Sequence, residues 1–237
     1  MVNPASDRLK VLAFDVFGTV VDWYGSVSRE IEALGLGLDA GAFVSEWRAG
    51  YYASMAKVRK GELAWARIDD LHRSELDRLL AKHHVDPLDE ASRRHLNLAW
   101  HRLDPWPEAV EGLTRLKRRF MICTLSNGNL GLLANMAKRA GLPWDLILSA
   151  EVFGAFKPDP KAYLGVADVF GLQPEETMLV ATHKADLRGA RACGLATAYV
   201  ERPLEEGPSV RREESRDPGF TLHATDFNDL ADQLGCP

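Results

Sequence analysis

Cysteine is scarce in this chain, and no apolar run is long enough to cross a membrane. The three cysteines, Cys123, Cys193 and Cys236, are odd in number and far apart, which favours reduced thiols over a disulfide framework or a zinc site. A membrane span needs roughly 18 consecutive apolar residues, and no segment approaches that length. Residues 1–10 also lack the apolar core of a signal peptide. We therefore expect a cytoplasmic protein that does not bind membranes.

An excess of cations is also missing, since the formal net charge is -5 at pH 7. Nucleic-acid binding needs clustered Lys and Arg to contact phosphates, so this charge argues against it. What the chain does have is a soluble, globular balance of 46% hydrophobic and 27% charged residues. At 237 residues it is long enough to bury a large core without a metal or a disulfide.

Helix and strand patterns alternate from about Trp106 onward. Strand patterns separated by helices of this length are typical of a parallel sheet with helices on both faces. We therefore predict an α/β fold with a doubly wound, Rossmann-like parallel sheet, to which an apolar strand at 11–14 also belongs. Residues 202–219, rich in Pro, Gly and charge, are predicted to form an exposed loop. The later predicted strands cover 120–125, 146–151, 177–181 and 197–200, and the predicted helices cover 107–119, 130–140, 160–170 and 186–193.

Between the first strand and this alternating region, residues 26–103 have helical periodicity and no convincing strand. Phe43, Trp47 and Tyr51, for example, follow the spacing of one helix face. Such aromatic stripes pack in a core more often than they line a ligand site. A helical insertion at this point would lie over the carboxyl ends of the strands. We predict a helical cap domain of residues 23–103, inserted into an α/β core domain of residues 1–22 and 104–237.

Polar residues follow the predicted strands at the edge where parallel α/β sheets bind ligands. Asp15 leaves the first strand, and Gly18 allows the chain to turn back toward that edge. Each later residue also has an ordinary structural explanation, as a helix cap or an exposed lysine, but their occurrence in order indicates an active site. They are Ser126, Asn127 and Gly128 after the second strand, Lys157 after the third, and His183 and Asp186 after the fourth.

This ordered set resembles the haloacid dehalogenase superfamily, and the resemblance covers nearly the whole chain. Most members of that superfamily are phosphatases, which usually carry a second aspartate two residues after the nucleophile and Gly-Asp before the last aspartate. Here Phe17 stands at the first of these positions and Ala181-Thr182 at the second. Without an acid for the leaving group and one for magnesium, efficient phosphoryl transfer is not expected.

Further segments are similar to the type II L-2-haloacid dehalogenases. One is the stretch 15–19, and another is Trp47-Arg48, where the resemblance implies that Arg48 binds the leaving halide. A guanidinium stays charged and can stabilise an anion that leaves an apolar pocket, whereas the alternative is an arginine facing solvent. Lys157 and Tyr163 match the lysine and tyrosine of that family. The chain departs from type II members at Ala181, His183 and Ala185, where they carry Ser, Asn and Trp.

The resemblance implies a two-step hydrolytic dehalogenation of short L-2-haloalkanoic acids to 2-hydroxy acids, with inversion. Asp15 attacks the carbon that carries the halide and forms an ester, and water then attacks the ester carbonyl. A homodimer is implied, with a small haloacid as its substrate and no metal or organic cofactor. The implied catalytic residues are Asp15, Thr19, Arg48, Ser126, Lys157, His183 and Asp186, and the implied substrate-binding residues are Phe17, Trp47, Arg48, Trp65, Ser126, Asn127 and Tyr163.

Three alternative functions stay open at this point. They are a hydrolase of the same fold that acts on another small acid, a phosphatase of the superfamily, and a non-catalytic binding protein. Asp186 is expected to orient or deprotonate the attacking water. His183 either shares this task, since an imidazole titrates near neutrality, or is a packed histidine bonded to backbone.

Overall fold

A parallel six-stranded sheet forms the centre of the computed structural model, which describes residues 7–85, 88–210 and 217–237. In chain order the strands are β1 (Val11–Phe14), β2 (Val21–Asp22), β3 (Asp104–Pro105), β4 (Met121–Ser126), β5 (Leu146–Ser149), β6 (Thr177–Ala181), β7 (Ala196–Val200) and β8 (Leu222–Ala224). The strand order in the sheet is β5-β4-β1-β6-β7-β8, and all neighbours in it pair parallel. The predicted α/β class with a parallel sheet is confirmed.

Helices cover both faces of this sheet and also form a separate helical segment. In chain order they are α1 (Trp23–Ala33), α2 (Ala40–Arg59), α3 (Ile68–Lys82), α4 (Glu90–Asn97), α5 (Ala109–Lys117), α6 (Leu130–Ala140), α7 (Ala150–Phe153), α8 (Pro160–Phe170), α9 (Lys184–Ala192) and α10 (Phe227–Gln233). Among the described residues, none of the helices has the length and apolar character needed to cross a bilayer.

Strand β1 lies between β4 and β6, and all of its residues are buried. Successive strand residues point to opposite faces of a sheet. Leu12 and Phe14 accordingly join the apolar cluster that contains residues of α5, α6 and α10, whereas Val11 and Ala13 join the cluster of α8 and α9. A strand covered on both faces needs this continuous apolar run, and the run delivers Asp15 to the carboxyl edge of the sheet.

The helices α1 to α4 are inserted between β2 and β3, which pair antiparallel through Val21 and Pro105. The core of this insertion is aromatic, and Trp47 packs edge-on against Trp100 with 5.4 Å between ring centroids. The same apolar cluster continues through Phe17 to the sheet, which holds α2 over the carboxyl ends of the strands. The division of the chain into a core domain and a cap domain stays a prediction.

Several element boundaries differ from those predicted. The predicted strand 146–151 ends at Ser149, because the Ser149 hydroxyl accepts the backbone N–H of Glu151 and caps α7. The predicted helix 186–193 begins earlier, at Lys184. The sequence patterns predict neither β8 nor α10, since a strand of three residues is too short to show an alternation.

The prediction of an exposed loop at 202–219 is wrong in part. Arg202 and Glu205 are buried, with relative exposures of 6% and 2%. Arg202 donates to the carbonyl of Thr19 at 2.9 Å and forms an ion pair with Glu108, which fastens the segment after β7 to the turn after β1. Charged residues favour the surface unless they are paired, and this pairing is long-range. Residues 211–216 of this loop, 1–6 of the predicted core domain and 86–87 of the predicted cap domain lie outside the described residues.

Candidate active site

A cavity of about 340 Å³ opens at the carboxyl edge of the sheet, beneath α2. Asp15 reaches it directly after β1, and other side chains reach it from the segments that follow β4, β5 and β6. Parallel strands bring these ends together at one edge, as the α/β fold requires. Among the charged and hydroxyl side chains that line the cavity are those of Asp15, Arg48, Ser126, Lys157, His183 and Asp186.

Asp15 is buried and receives hydrogen bonds at both carboxylate oxygens. Thr19 Oγ1 donates to Oδ2 at 2.8 Å, and Lys157 Nζ donates to Oδ1 at 3.0 Å. Burial alone would raise the pKa of Asp15, but the Lys157 ammonium and the hydrogen bonds from His183 and Thr19 hold that pKa well below its usual range. Asp15 is therefore ionised at neutral pH and fixed in orientation.

Lys157 lies between two carboxylates. Its ammonium is 3.0 Å from Asp15 Oδ1 and 2.5 Å from Asp186 Oδ2, and Tyr163 donates its hydroxyl to the other oxygen of Asp186 at 2.7 Å. Burial would lower the pKa of Lys157, yet the two carboxylates raise it above its ordinary value. The ammonium thus offsets the repulsion between the two aspartates. The described residues contain no group of three or more His, Cys, Asp or Glu placed to hold a metal ion.

His183 also lies between two carboxylates, and its partners are side chains rather than backbone groups. Nδ1 is 3.0 Å from Asp15 Oδ2, and Nε2 is 2.9 Å from Glu205 Oε1. An ionised carboxylate only accepts hydrogen bonds, so both ring nitrogens carry protons. Burial lowers the pKa of His183, but Glu205 and Asp15 raise it well above its ordinary value. His183 is therefore an imidazolium at neutral pH.

Arg48 lies on the cavity side of α2. Its guanidinium stacks over the Trp23 ring at 4.4 Å, and its Nη2 is 3.6 Å from Glu205 Oε1. Nη1 is buried and has no hydrogen-bond partner among the described residues. A buried cationic donor without a partner is suited to receive an anion, because leaving such a group unpaired is costly.

Ser126 and Asn127 form the turn after β4. Ser126 Oγ accepts the backbone N–H of Gly128 at 3.1 Å, and Asn127 Oδ1 accepts the backbone N–H of Lys157 at 2.8 Å. Phe17 packs so closely on this turn that a Cβ at Gly128 would lie 2.9 Å from its ring. The turn therefore places a hydroxyl and an amide beside an apolar wall.

Three sequence-predicted residues lie outside the lining of this cavity. Thr19 lies behind Asp15 and binds its carboxylate. Trp47 is fully buried among the inserted helices and donates to the carbonyl of His72, because it is about 100° around the helix from Arg48. Trp65 is 41% exposed and stacks on Phe156 beside a second cavity of about 410 Å³. Neither tryptophan therefore lines the cavity at Asp15, and their roles in substrate binding stay predictions.

Sequence reasoning did not single out Glu205, Tyr51 or Tyr52 for the site. The two tyrosine rings flank the Arg48 guanidinium, with centroids at 6.0 and 5.1 Å. The sequence signal for Glu205 near Asp15 is Gly18. Its φ is 84°, and a Cβ at this position would lie 2.0 Å from Glu205 Oε1. Glycine at this position indicates a close neighbour as well as a turn, but it does not identify that neighbour.

Comparisons with known proteins bear on the family and the fold of the chain. A family model described as haloacid dehalogenase-like hydrolase matches residues 9–194. A (S)-2-haloacid dehalogenase from Pseudomonas sp. (strain YL) is 30% identical over 201 residues, which are 83% of this chain and 84% of that protein. The crystal structure of a defluorinating L-2-haloacid dehalogenase has a TM-score of 0.94 at 42% identity and covers 100% of this chain and 99% of that chain. That of another L-2-haloacid dehalogenase has a TM-score of 0.91 at 42% identity, with 95% and 99% covered.

Proposed function

Because the chain belongs to the haloacid dehalogenase-like hydrolases, we propose that it is a (S)-2-haloacid dehalogenase. It hydrolyses the carbon-halide bond of short L-2-haloalkanoic acids and yields 2-hydroxy acids of inverted configuration. The same activity is named for the Pseudomonas relative. Phe17 and Thr182 also support it over phosphate hydrolysis, since superfamily phosphatases usually carry acids at these positions.

The proposal rests on one observation: an ionised carboxylate and a guanidinium whose buried Nη1 has no hydrogen-bond partner among the described residues belong to side chains that line the same cavity. Displacement at a carbon atom needs a nucleophile on one side and an anion site for the leaving group on the other. Asp15 supplies the first and Arg48 Nη1 the second. The aromatic rings of Trp23, Tyr51 and Tyr52 contact the guanidinium, and the Arg48 side chain is only 7% exposed, so its charge acts in a medium of low dielectric.

In the first step, an oxygen of Asp15 bonds to C2 of the substrate while the halide leaves with the bonding electron pair toward Arg48. Attack from the side opposite the halide inverts C2. The Ser126 hydroxyl donates a hydrogen bond to the substrate carboxylate, and the Asn127 turn helps to hold that group. Phe17 provides the apolar wall, and Lys157 and Thr19 keep Asp15 aimed. The step yields an ester at Asp15 and a free halide.

In the second step, water attacks the carbonyl carbon of the Asp15 ester. The bond between that carbon and the oxygen attached to C2 breaks, and the 2-hydroxy acid leaves. One proton per turnover goes to the solvent. Asp186, held by Lys157 and Tyr163, and His183 are the groups proposed to handle the water.

Halide release from chloroacetate, bromoacetate, fluoroacetate and the two enantiomers of 2-chloropropionate tests the function. We expect halide from the L enantiomer with a D-configured hydroxy product, and no phosphate from p-nitrophenyl phosphate. Activity should survive EDTA, because Thr182 replaces the usual magnesium-binding acid. Phosphate release without halide release, or halide release that needs added magnesium, would contradict the proposal.

We also propose that the protein is a cytoplasmic homodimer. The three cysteines are free, as suits a reducing compartment, and burial raises the pKa of Cys123 to about 12. Leu130 and Val152 are exposed apolar side chains on elements joined by a hydrogen bond from the Leu130 backbone to Glu151, and they support a small contact surface. Sedimentation of the purified protein tests this, and a monomer at all concentrations would exclude the dimer.

A further inference from the structure

The two oxygens of Asp15 have different surroundings. Oδ1 contacts the Lys157 ammonium, whereas Oδ2 receives two donors, Thr19 Oγ1 at 2.8 Å and His183 Nδ1 at 3.0 Å. The Thr19 oxygen itself accepts the backbone N–H of Thr182 at 3.0 Å, which directs the hydroxyl proton to Asp15. Two donors at this distance meet the geometric requirement for holding a developing oxyanion.

The two donors make Oδ2 the poorer nucleophile, so Oδ1 forms the bond to the substrate. Oδ2 then becomes the carbonyl oxygen of the ester, which gains negative charge when water attacks. A donor that stays on Oδ2 during this change stabilises the second transition state more than the ester. His183 is such a donor only while its Nδ1 carries a proton.

Glu205 is placed to keep that proton in position. Its carboxylate is buried and accepts from His183 Nε2 at 2.9 Å and from the Trp23 indole N–H at 3.1 Å. It belongs to the segment after β7 that Arg202 fastens to the Thr19 carbonyl. The carboxylate also lies close over Gly18, where a Cβ would come within 2.0 Å of its Oε1. Glu205 is therefore fixed from several sides.

We propose that Glu205 is a positioning residue that keeps His183 Nδ1–H donating to Asp15 Oδ2, so that His183 and Thr19 form the oxyanion hole for ester hydrolysis. This inference rests on the proposed dehalogenase function. When Asp15 becomes an ester it loses its charge, and Glu205 is then the carboxylate in contact with His183. Without the charge of Glu205, the ring releases a proton and can turn a bare lone pair toward the carbonyl oxygen.

Of the other charged groups near His183, some favour and some disfavour the protonated ring. Arg48, on α2, and Lys157, before α8, disfavour the imidazolium, and Asp186, on the first turn of α9, favours it. They reach His183 through other side chains, since Arg48 contacts Glu205 and Lys157 contacts Asp15 and Asp186. Glu205 and Asp15 are the groups in direct contact with the ring, and only Glu205 keeps its charge in the ester.

Asp186 takes and returns the proton in the proposed hydrolytic step. The water oxygen bonds to the Asp15 carbonyl carbon, the π electron pair moves to Oδ2, and the water proton passes to Asp186. The carbonyl then reforms, the bond to Oδ1 breaks, and Oδ1 leaves with the product and takes the proton from Asp186. The remaining acid proton of Asp15 goes to solvent. His183 keeps both of its protons, so Asp186 is the base.

The substitution Glu205→Gln removes the charge and keeps the size. We expect ester formation, measured as a halide burst, to stay within about threefold of wild type, and ester hydrolysis to slow roughly 10²-fold. The ester then accumulates and mass spectrometry detects a heavier enzyme. Above neutral pH, hydrolysis by this variant should fall further as the ring loses a proton and then level off, because a neutral imidazole keeps one N–H, while the wild type holds its rate to higher pH. Glu206→Gln, at the exposed neighbouring position, is the control and should leave both steps unchanged.

A second pair of variants separates donation from proton transfer. His183→Asn places an amide donor near the position of Nδ1 but cannot accept a proton from water. His183→Ala removes both the donor and the proton acceptor. We expect His183→Asn to recover most of the ester hydrolysis that His183→Ala loses. Equal loss in both variants would make His183 the base and overturn the inference. This pair tests the donor half of the proposal, the role of His183 in the oxyanion hole, even where Glu205→Gln does not fold.

Two failures are distinguishable. A wild-type protein that releases no halide from any substrate above overturns the proposed function. A wild-type protein that releases halide, while Glu205→Gln hydrolyses the ester at the wild-type rate and with the wild-type pH profile, overturns the role of Glu205 alone.

Discussion

The candidate nucleophile Asp15 has two sides that are built differently. On the Oδ1 side, Lys157 lies between Asp15 and Asp186, so one cation separates two anions. On the Oδ2 side, His183 and Arg48 both contact Glu205, so one anion joins two cations. The first side supplies charge that ionises the carboxylate. The Oδ2 side supplies the hydrogen-bond donors that, in the proposed mechanism, face the carbonyl oxygen of the Asp15 ester.

The two sides also differ in their access to water. The Lys157 side chain is 6% exposed, whereas that of His183 is 28% exposed. A buried ammonium acts at low dielectric and holds Asp15 ionised before any substrate binds. The Oδ2 side therefore combines its donors with more access to solvent. In the proposed mechanism both sides serve the formation of the ester, whereas hydrolysis uses the donors at Oδ2 together with the base Asp186 on the Oδ1 side.

The largest effect is expected from Asp15→Asn, which removes the group that both sides serve. An amide is a poor nucleophile, so we expect turnover to fall by roughly 10⁴-fold or more. Halide release and mass spectrometry of the trapped enzyme measure it. Asp168→Asn, at an exposed position of α8, is the control. In heavy-oxygen water, a single wild-type turnover should label Asp15 and leave the first product unlabelled, and label in that product would mean that water attacks the substrate directly.

Lys157→Met removes the ammonium that contacts Asp15 Oδ1. Without the ammonium, the pKa of Asp15 rises, because burial and the neighbouring Asp186 charge are no longer offset. We expect ester formation at neutral pH to slow roughly 10³-fold and stability to fall by about 3–5 kcal/mol, the usual cost of breaking a buried pair. Rapid-quench halide release and urea unfolding measure the two effects, with the exposed Lys161→Met as control. A Met variant that forms the ester at the wild-type rate would remove Lys157 from the first step.

Arg48→Ala removes the guanidinium that contacts Glu205 on the Oδ2 side of Asp15. The contact with the halide strengthens as the carbon-halide bond breaks, so kcat should fall roughly 10²-fold while KM stays within about threefold. Single-turnover kinetics with L-2-chloropropionate measure it. Arg94→Ala, on the exposed face of α4, should behave as wild type. An unchanged rate of ester formation would show that Arg48 does not bind the leaving group.

The smallest effect concerns stability and pH. Burial lowers the pKa of His183, but Glu205 and Asp15 raise it well above its ordinary value, so its stabilising contribution is complete below about pH 6.5 and is lost as pH rises through the folded pKa. The stability difference between wild type and His183→Asn should therefore shrink as pH rises above about 6.5, by about 1.4 kcal/mol for each pH unit that separates the ordinary pKa from the folded one. Urea unfolding at several pH values measures it. A difference that does not change with pH would mean that the folded protein does not hold His183 as a cation.

Local patterns predict the strand-end part of the site because they act over a few residues. The apolar run of β1 places Asp15 at the sheet edge, and the strands that follow place Ser126 and Asp186 at the same edge. Helical periodicity likewise predicts the inserted helices. It does not predict which of two neighbours, Trp47 or Arg48, faces the cavity, since that depends on how α2 packs.

Periodicity and turn chemistry are local properties, so the order of the amino acids is enough to predict the parallel sheet, the inserted helices and the polar residues at the strand ends. The surroundings of Asp15 Oδ2 depend instead on long-range contacts. Glu205 is 190 residues beyond Asp15 in a segment whose composition favours the surface, and it is buried because Arg48, His183 and the Trp23 indole all bind its carboxylate. Burial of a charge depends on partners that only the folded chain brings together.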